Sequence, residues 1–240
     1  MPKRIGIVAV TAEGAALCYQ TICAEGFALF GPHSHPEVTM HTFSLGDYLP
    51  YVRAGDWEGL GGLLLESAGK LQRAGADFLI CPANTAHLAI DLVRSRSALP
   101  WLHIAEEVTS AAVSRRLSRL LLLGTEALVE GPVYPTQLSK KGIACEIPDP
   151  VDRRRIDEII LGELILGRFE DSSREYIKRL IRESGERGCD GVIFGCTEIP
   201  LLLPEAESPL PALDSTRLLA RAALREAASE ARSSGAPPRP

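Results

Sequence analysis

The sequence predicts an α/β protein made of two similar, doubly wound halves, each built on a parallel sheet. Apolar runs alternate with amphipathic stretches along the 240 residues, and the apolar runs are short, continuous and rich in branched aliphatic side chains. Such runs are expected where helices cover both faces of a parallel sheet. One strand-containing segment is also repeated, which favours two halves over a single large sheet.

The order of elements follows from the period of the apolar residues. The predicted strands are Arg4–Val10, Glu37–His41, Phe78–Cys81, Trp101–Ile104, Arg119–Leu123, Ile143–Glu146, Gly191–Phe194 and Leu210–Leu213. Helical periodicity covers residues 12–25, 56–74, 84–96, 106–116, 151–166, 172–187 and 214–232. Gly75, Gly142 and Gly188 lie where helices are expected to end, since glycine readily adopts the left-handed conformation found there.

The internal repeat consists of a helix end, a Gly-x-Asp turn and a buried strand. The segment 75–80 (Gly-Ala-Asp-Phe-Leu-Ile) recurs 113 residues later as 188–193 (Gly-Cys-Asp-Gly-Val-Ile). The same offset aligns Ala83 with Cys196. The halves are therefore predicted to differ in the residue that follows this strand.

A second similarity supports the repeat. The strand end 8–11 (Val-Ala-Val-Thr) resembles 122–125 (Leu-Leu-Gly-Thr) at an offset of 114 residues. Chance similarity between two α/β units remains the alternative, but two matches at nearly equal spacing favour halves related by a pseudo-twofold. We expect the first half to comprise residues 1–104 and 212–232, the second half 105–211, and the Ser/Gly/Pro-rich tail 233–240 to be disordered.

Composition and charge exclude several classes of protein. Apolar residues make up 45% and charged residues 24% of the chain, which is ordinary for a globular protein. The net charge of −5 argues against a nucleic-acid or anionic-membrane partner, because no basic excess exists to neutralise phosphates. The amino-terminal residues lack the pattern of a signal peptide, and no uncharged run is long enough to span a bilayer. We therefore expect a cytoplasmic protein.

The cysteines and histidines do not predict a metal site. The six cysteines are scattered without Cys-x-x-Cys spacing, and in a reducing compartment they are expected to be free thiols. The His33-Ser34-His35 stretch has donors for a metal, but its flanking prolines favour a surface turn. We expect no metal.

Polar side chains follow several predicted strands at their carboxyl ends, namely Thr11, Asn84-Thr85, Thr125 and Cys196-Thr197. Ligands bind beyond the carboxyl ends of strands in open parallel sheets. If a pseudo-twofold relates the halves, we expect these residues to meet in one cleft between them. Hydroxyl and amide groups with helix N-termini suit a small carboxylate ligand.

Cys196 is the candidate catalytic residue. It lies in Phe194-Gly195-Cys196-Thr197-Glu198-Ile199-Pro200, where the glycine allows a tight turn from strand to helix. A thiolate at a helix N-terminus is stabilised by the helix dipole. Cys18, Cys23, Cys145 and Cys189 are interpreted as small buried apolar residues.

Two stretches, Cys81-Pro82-Ala83-Asn84-Thr85-Ala86-His87 and Gly195-Cys196-Thr197-Glu198, resemble the aspartate/glutamate racemase superfamily, in particular its aspartate racemase branch. The resemblance covers the chain to about residue 220. It implies two α/β domains with the active site in the cleft between them, a homodimer, a dicarboxylic amino-acid substrate, and neither pyridoxal phosphate nor metal. It further implies two cysteines, one on each face of the α-carbon, and Asn84, Thr85, Thr197 and Glu198 as substrate-binding residues.

The chain departs from this pattern at the first cysteine. Ala83 occupies that position, and a methyl group cannot transfer a proton. Cys81 is two residues earlier and is predicted to lie deeper along the strand. His87 follows one helical turn after Ala83 and is a candidate proton donor, although a histidine that only anchors the helix is the plainer interpretation.

The opening turn and the candidate arginines also bear on the substrate. Family members usually have a glycine-rich opening turn, whereas this chain has Ala9-Val10-Thr11. The resemblance suggests that Thr11 keeps the hydroxyl. Arg53, expected in a loop, and Arg168 are candidate ligands of the distal carboxylate, or else plain surface residues.

Three explanations remain open for a single catalytic cysteine. The enzyme racemises slowly or one-sidedly with Cys196 as acid and base, the alanine was introduced to trap a substrate, or the chain performs a one-thiol reaction such as decarboxylation of a malonate-like acid. A non-catalytic amino-acid-binding protein is a further alternative. We rank racemase-type proton transfer at the α-carbon of aspartate or glutamate first.

Overall fold

The computed structural model describes residues 2–233, which form two compact units. Unit 1 contains the chain up to Ile104 and again from Thr216, and unit 2 is Ala105–Ser215. We expected the chain to return to the first half at residue 212. The return comes later because Ala212–Asp214 form a strand that pairs with a strand of unit 2. The tail expected to be disordered, 233–240, lies outside the described residues except for Ser233, which ends a helix.

Unit 1 is built on a parallel sheet with the strand order β2-β1-β3. The strands are β1 (Ile5–Ala9), β2 (Val38–Thr42) and β3 (Phe78–Ile80). Its first helices are α1 (Ala12–Phe30), α2 (Leu45–Ala54), α3 (Trp57–Arg73) and α4 (Ile90–Arg96), the last preceded by a 3₁₀ turn at Thr85–Ala89.

Unit 2 is built on a four-stranded parallel sheet with the order β5-β4-β6-β7. Its strands are β4 (Arg119–Leu123), β5 (Ala144–Glu146), β6 (Gly191–Phe194) and β7 (Ala212–Asp214). Its helices are α5 (Ile104–Ser114), α6 (Glu126–Val129), α7 (Val133–Ser139), α8 (Pro150–Gly162), α9 (Asp171–Glu186) and α10 (Ile199–Leu202). The final helix, α11 (Ser215–Ser233), carries the chain back into unit 1.

The two faces of the unit 1 sheet are both covered by helices, as the continuous apolar strands predicted. One face packs Val8 and Leu79 against side chains of α3 such as Leu64. The other face packs side chains of β1 and β3 against α1 and α11, in a core that includes Ile7, Ile22 and Leu219. In unit 2, Leu121 and Val192 belong to a core shared with α8 and α9.

The strand predicted at Trp101–Ile104 is wrong in extent. Only Trp101 bridges to Leu79, in parallel, and α5 already begins at Ile104. The backbone bonds from Leu79 to Pro100 (2.9 Å) and from Leu102 to Leu79 (3.0 Å) give unit 1 one rung of a fourth strand. The segment is too short to continue the ladder before the helix starts.

The predicted helix at 84–96 is divided, and α2 was not predicted at all. The first part of 84–96 is the tighter 3₁₀ turn, and α4 starts only at Ile90. In α2, Pro50 lies inside the helix and obscured the periodicity. The signal for α2 was its capping box, in which Ser44 accepts from Gly46 and Asp47 accepts from the Ser44 backbone (3.1 Å).

The repeated Gly-x-Asp turn has the same backbone conformation and the same hydrogen bond in both units. Gly75 and Gly188 have φ values of 94° and 96°, which suit glycine alone, and each follows a helix end. Asp77 accepts from the Arg4 backbone at 2.7 Å, and Asp190 accepts from the Ser118 backbone at 2.7 Å. Each carboxylate thereby ties the start of one strand to the start of its neighbour.

Within residues 2–233, no helix is both long enough and apolar enough to cross a membrane.

Candidate active site

The turn after β6 holds the candidate thiol in a fully buried stretch of backbone. Residues 191–200 are all buried. The Gly195 N–H donates to the Leu123 carbonyl at 2.7 Å, and a Cβ at position 195 would lie 2.7 Å from that same oxygen. Only glycine allows this approach, so Gly195 fixes the point at which the chain leaves the sheet and Cys196 begins the turn.

Cys196, Thr197 and Glu198 form one hydrogen-bonded group. The Cys196 thiol donates to Oε2 of Glu198 at 3.0 Å, and the Thr197 hydroxyl donates to the same oxygen at 2.8 Å. Glu198 is 2% exposed, and its Oε1 is buried without a hydrogen-bond partner among the described residues. A carboxylate thus touches the thiol directly and keeps one oxygen unused.

This environment favours the protonated thiol, which corrects the expectation of a thiolate stabilised at a helix N-terminus. Burial, and then the negative charge and hydrogen bond of Glu198, raise the pKa of Cys196 well above its usual value, while the backbone N–H groups of Glu198 and Ile199 act to lower it. The thiol therefore rests as a proton donor at neutral pH. The neighbouring carboxylate is within reach to accept that proton, which is what a reversible acid and base requires.

The equivalent turn of unit 1 carries no such pair. Ala83 lies there with 8% of its surface exposed, followed by buried Asn84 and partly buried Thr85 at the start of the 3₁₀ turn. Cys81 is 1% exposed, and burial raises the pKa of its thiol to about 12. Its depth agrees with the expectation that Cys81 is a poor substitute for the missing cysteine.

His87 is bound to the backbone through both ring nitrogens. Its Nδ1 lies 3.0 Å from the Ala83 carbonyl, and its Nε2 accepts from the Ile104 N–H at 3.2 Å. The ring is 2% exposed and packs edge-on against His103. Burial, followed by the charge of His103, lowers the pKa of His87 well below its usual value. This geometry corrects the candidate role of proton donor: His87 anchors its turn in the neutral form.

Thr11 and Thr125 occupy matching places after the first strand of each unit. Thr11 is the N-cap of α1 and Thr125 the N-cap of α6, both with extended backbone, and neither side chain caps its helix. Both are partly buried. Within unit 2 the turn of Thr125 is next to that of Cys196, because Gly195 bonds to the end of β4.

The two candidate arginines have different surroundings. Arg53 is exposed and belongs to the last turn of α2, which corrects the expectation of a loop. Arg168 donates to the carbonyl of Gly162, the last residue of α8, and its own N–H bonds to Glu163. Its guanidinium therefore closes the end of α8, which is a structural role.

Two further polar residues lie at strand ends and were not singled out from the sequence. Ser215 follows β7 and donates to the Phe194 carbonyl at 2.7 Å, directly before the Cys196 turn. His103 follows the Trp101 bridge and is 3% exposed. Each is a polar residue just after an apolar run, the same signal that identified Thr125.

The His33-Ser34-His35 stretch is exposed, as expected of a surface turn. His33 has a positive φ of 58°, and Nδ1 of His35 lies 2.8 Å from the Pro36 carbonyl. Across the described residues, no group of three or more His, Cys, Asp or Glu side chains is placed to hold a metal ion.

Known proteins resemble this chain along most of its length. A broad-specificity amino-acid racemase of Bacillus subtilis is 26% identical over 66% of this chain and 68% of its own. A glutamate racemase of Persephonella marina is 30% identical, but the match spans 58% of this chain and only 52% of that enzyme. The crystal structure of an aspartate racemase homologue from Pyrococcus horikoshii has 28% identity and a TM-score of 0.81, covering 95% of this chain and all of that one.

The crystal structure of an Asp/Glu racemase-type protein from Yersinia pestis has 30% identity and a TM-score of 0.84 over 94% of this chain and 99% of that one. The model of the Asp/Glu/Hydantoin racemase family matches residues 5–223, nearly the whole described chain. The chain therefore belongs to the Asp/Glu/Hydantoin racemase family, which works without pyridoxal phosphate and includes amino-acid racemases.

Proposed function

We propose that this protein transfers a proton at the α-carbon of aspartate or glutamate, with Cys196 as the acid and base. The observation that carries the proposal is the buried thiol bonded at 3.0 Å to the Glu198 carboxylate, at the carboxyl end of a central strand. A thiol and a carboxylate in contact can exchange one proton without help from solvent.

The proposed cycle needs only these two groups on one side of the substrate. The Cys196 proton moves to Oε2 of Glu198, which leaves a thiolate. The thiolate removes the α-proton, and the electron pair of the C–H bond remains on the substrate as a planar carbanion conjugated with its carboxylate. Return of the proton from sulfur restores the original enantiomer, and Glu198 then returns its proton to the thiolate. Delivery of a proton from water to the opposite face gives the mirror image, and the proton held by Glu198 neutralises the hydroxide that remains, so that the thiol and the carboxylate are regenerated.

The alanine at position 83 limits the second half of this cycle. The repeat and the family pattern assign a second acid to that position, and Ala83 has no transferable proton. The opposite face must then be protonated by water or by another group. We therefore propose that isotope exchange at the α-carbon is faster than inversion, so that racemisation is slow and one-sided.

The substrate's carboxylates are assigned to neutral donors and one arginine. Thr125 and Thr197 in unit 2, and Thr11, Asn84 and Thr85 in unit 1, follow strands at their carboxyl ends, where ligands bind in such folds. Arg53 is exposed, and no ion pair holds it among the described residues. It is the proposed contact of the distal carboxylate, which makes dicarboxylic amino acids the preferred class.

Proton NMR in D₂O tests the proposal. Purified protein is incubated separately with L- and D-aspartate and then with L- and D-glutamate, and loss of the α-proton signal is followed beside optical rotation. We expect exchange with at least one enantiomer, ahead of any change in rotation. A Cys189→Ala variant is the matched control, since Cys189 is also buried in unit 2 but bonds to the Glu146 side chain. Exchange absent from all four substrates would falsify the proposal.

Ala83 also favours a second candidate, one-thiol decarboxylation of a malonate-like acid. Loss of CO₂ itself produces the planar carbanion, so a single thiol suffices to protonate it. Release of CO₂ from a disubstituted malonate, lost in Cys196→Ala, would select this reaction over racemisation. A binding protein without chemistry would show neither CO₂ release nor exchange.

The proposal includes a homodimer, as the resemblance implies, and a cytoplasmic location, as the sequence analysis expects. Sedimentation equilibrium tests the assembly, with a mass near twice 25.9 kDa expected. A monomer across the accessible concentrations would remove this part and leave the chemistry untouched.

A further inference from the structure

The unused oxygen of Glu198 points to the chemical class of the ligand. Both donors near this carboxylate, the Cys196 thiol and the Thr197 hydroxyl, bond to Oε2, while Oε1 is buried with no partner among the described residues. A buried carboxylate oxygen without a donor costs free energy. Because this unpaired oxygen lies beside the proposed reactive thiol, we infer that its hydrogen-bond donor is a group of the substrate.

The missing donor should also carry positive charge. No Lys, Arg or His side chain forms an ion pair with Glu198 among the described residues. Glu146 in the same unit shows the ordinary arrangement, since Arg119 (2.9 Å) and Arg187 (2.8 Å) both bind it. A buried carboxylate that no cation pairs with costs several kcal/mol of desolvation free energy, on the order of magnitude known for buried ions. A cationic group of the ligand would offset this cost.

We propose that Oε1 of Glu198 binds the α-ammonium group of the substrate, so that this residue selects α-amino acids over hydroxy acids and malonates. This inference rests on the proposed function, because it places the substrate's α-carbon at Cys196. The two oxygens of a carboxylate are about as far apart as an ammonium nitrogen and the hydrogen on the adjacent carbon. One carboxylate can therefore hold the thiol and the ammonium group side by side.

Calorimetric binding separates this inference from the proposed function. A Cys196→Ser variant keeps a hydroxyl donor for Oε2 but lacks the thiol, so binding is measured without turnover. L-Aspartate, L-malate and succinate are titrated into Cys196→Ser, into Cys196→Ser with Glu198→Gln, and into Cys196→Ser with Glu146→Gln as the control. Circular dichroism verifies that each variant is folded.

We expect Cys196→Ser to bind aspartate about 10- to 100-fold more tightly than malate or succinate, as for a charged hydrogen bond. Glu198→Gln should remove most of this preference, and Glu146→Gln should preserve it. A preference that survives Glu198→Gln, or its absence from Cys196→Ser, overturns the inference. These binding measurements do not depend on turnover. If α-proton exchange fails, the proposed function is rejected, but the effect of Glu198→Gln on the binding preference can still be interpreted.

Discussion

The turns that follow β3 in unit 1 and β6 in unit 2 have the same position in their sheets but differ in their side chains and hydrogen bonds. Both follow a strand beside the first strand of their sheet, and both strands are preceded by the same Gly-x-Asp device. In unit 1 the turn presents Ala83 and a backbone-bound His87. In unit 2 it presents Cys196 against Glu198. The backbone arrangement is repeated, whereas the contact between a thiol and a carboxylate belongs to the turn in unit 2.

The two turns also differ in whether their buried polar side-chain atoms have hydrogen-bond partners. Both nitrogens of His87 have backbone partners, as a structural residue requires. Glu198 leaves Oε1 buried and unpaired. An unpaired buried oxygen lowers stability, so its presence at the turn with the thiol supports the site proposed there.

Replacing Cys196 should have the largest effect. We expect Cys196→Ala to reduce α-proton exchange by about 10²- to 10⁴-fold, the usual contribution of an acid–base group, because no other thiol of unit 2 lies at a strand's carboxyl end. Exchange rates by NMR measure this, with Cys189→Ala unchanged within about twofold. Equal losses in both variants would contradict the assignment.

Restoring a thiol in unit 1 should sharpen the comparison. Ala83→Cys is expected to raise inversion relative to exchange by about 10- to 100-fold, because a second acid then protonates the opposite face. Polarimetry and NMR on the same sample give the ratio. Ala86→Cys, buried in the same 3₁₀ turn, is the matched control. An unchanged ratio in Ala83→Cys would show that position 83 does not face the reaction.

Neutralising Glu198 should shift the titration of the thiol. Burial and then Glu198 raise the pKa of Cys196, so Glu198→Gln leaves the effect of burial and removes that of the charge. The thiolate then forms at lower pH than in the parent protein. Alkylation by iodoacetamide, followed as a function of pH, reports the midpoint. A midpoint that stays in place or moves upward would count against the contact, and Glu146→Gln should not move it.

His87 should affect stability and not chemistry. His87→Phe leaves the Ile104 N–H without its acceptor, and we expect a loss of about 1–3 kcal/mol in the free energy of unfolding. The pKa of His87 in the folded protein lies below 6.5, its ordinary value in the unfolded chain. As the pH falls below 6.5, the unfolded chain therefore binds a proton at His87 before the folded protein does. The protein should lose stability there, and the variant should lose less.

Urea unfolding at pH 5 and pH 7.5 tests both parts. His35→Phe is the control, because His35 is exposed. Equal pH dependence in the parent protein and His87→Phe would reject the role of the buried ring.

Strong local patterns were predictable, and weak ones were not. The helices α3, α9 and α11 were predicted to within two residues at each end because their apolar periodicity is sustained over many turns. The helix α2 was missed, since Pro50 interrupts its pattern. The segment at Trp101 was predicted as a strand because its side chains are apolar, but only its first residue joins the ladder.

The sequence alone determined the α/β class, the repeat, the position of Cys196 after a buried strand, and the alanine in the matching place. These depend on periodicity and on residues close together in the chain, which are local properties. The tertiary structure decided that β7 belongs to unit 2, that both nitrogens of His87 are occupied, and that Glu198 binds the thiol through one oxygen only. Pairing, burial and hydrogen-bond direction arise from residues brought together by folding, and no local pattern specifies them.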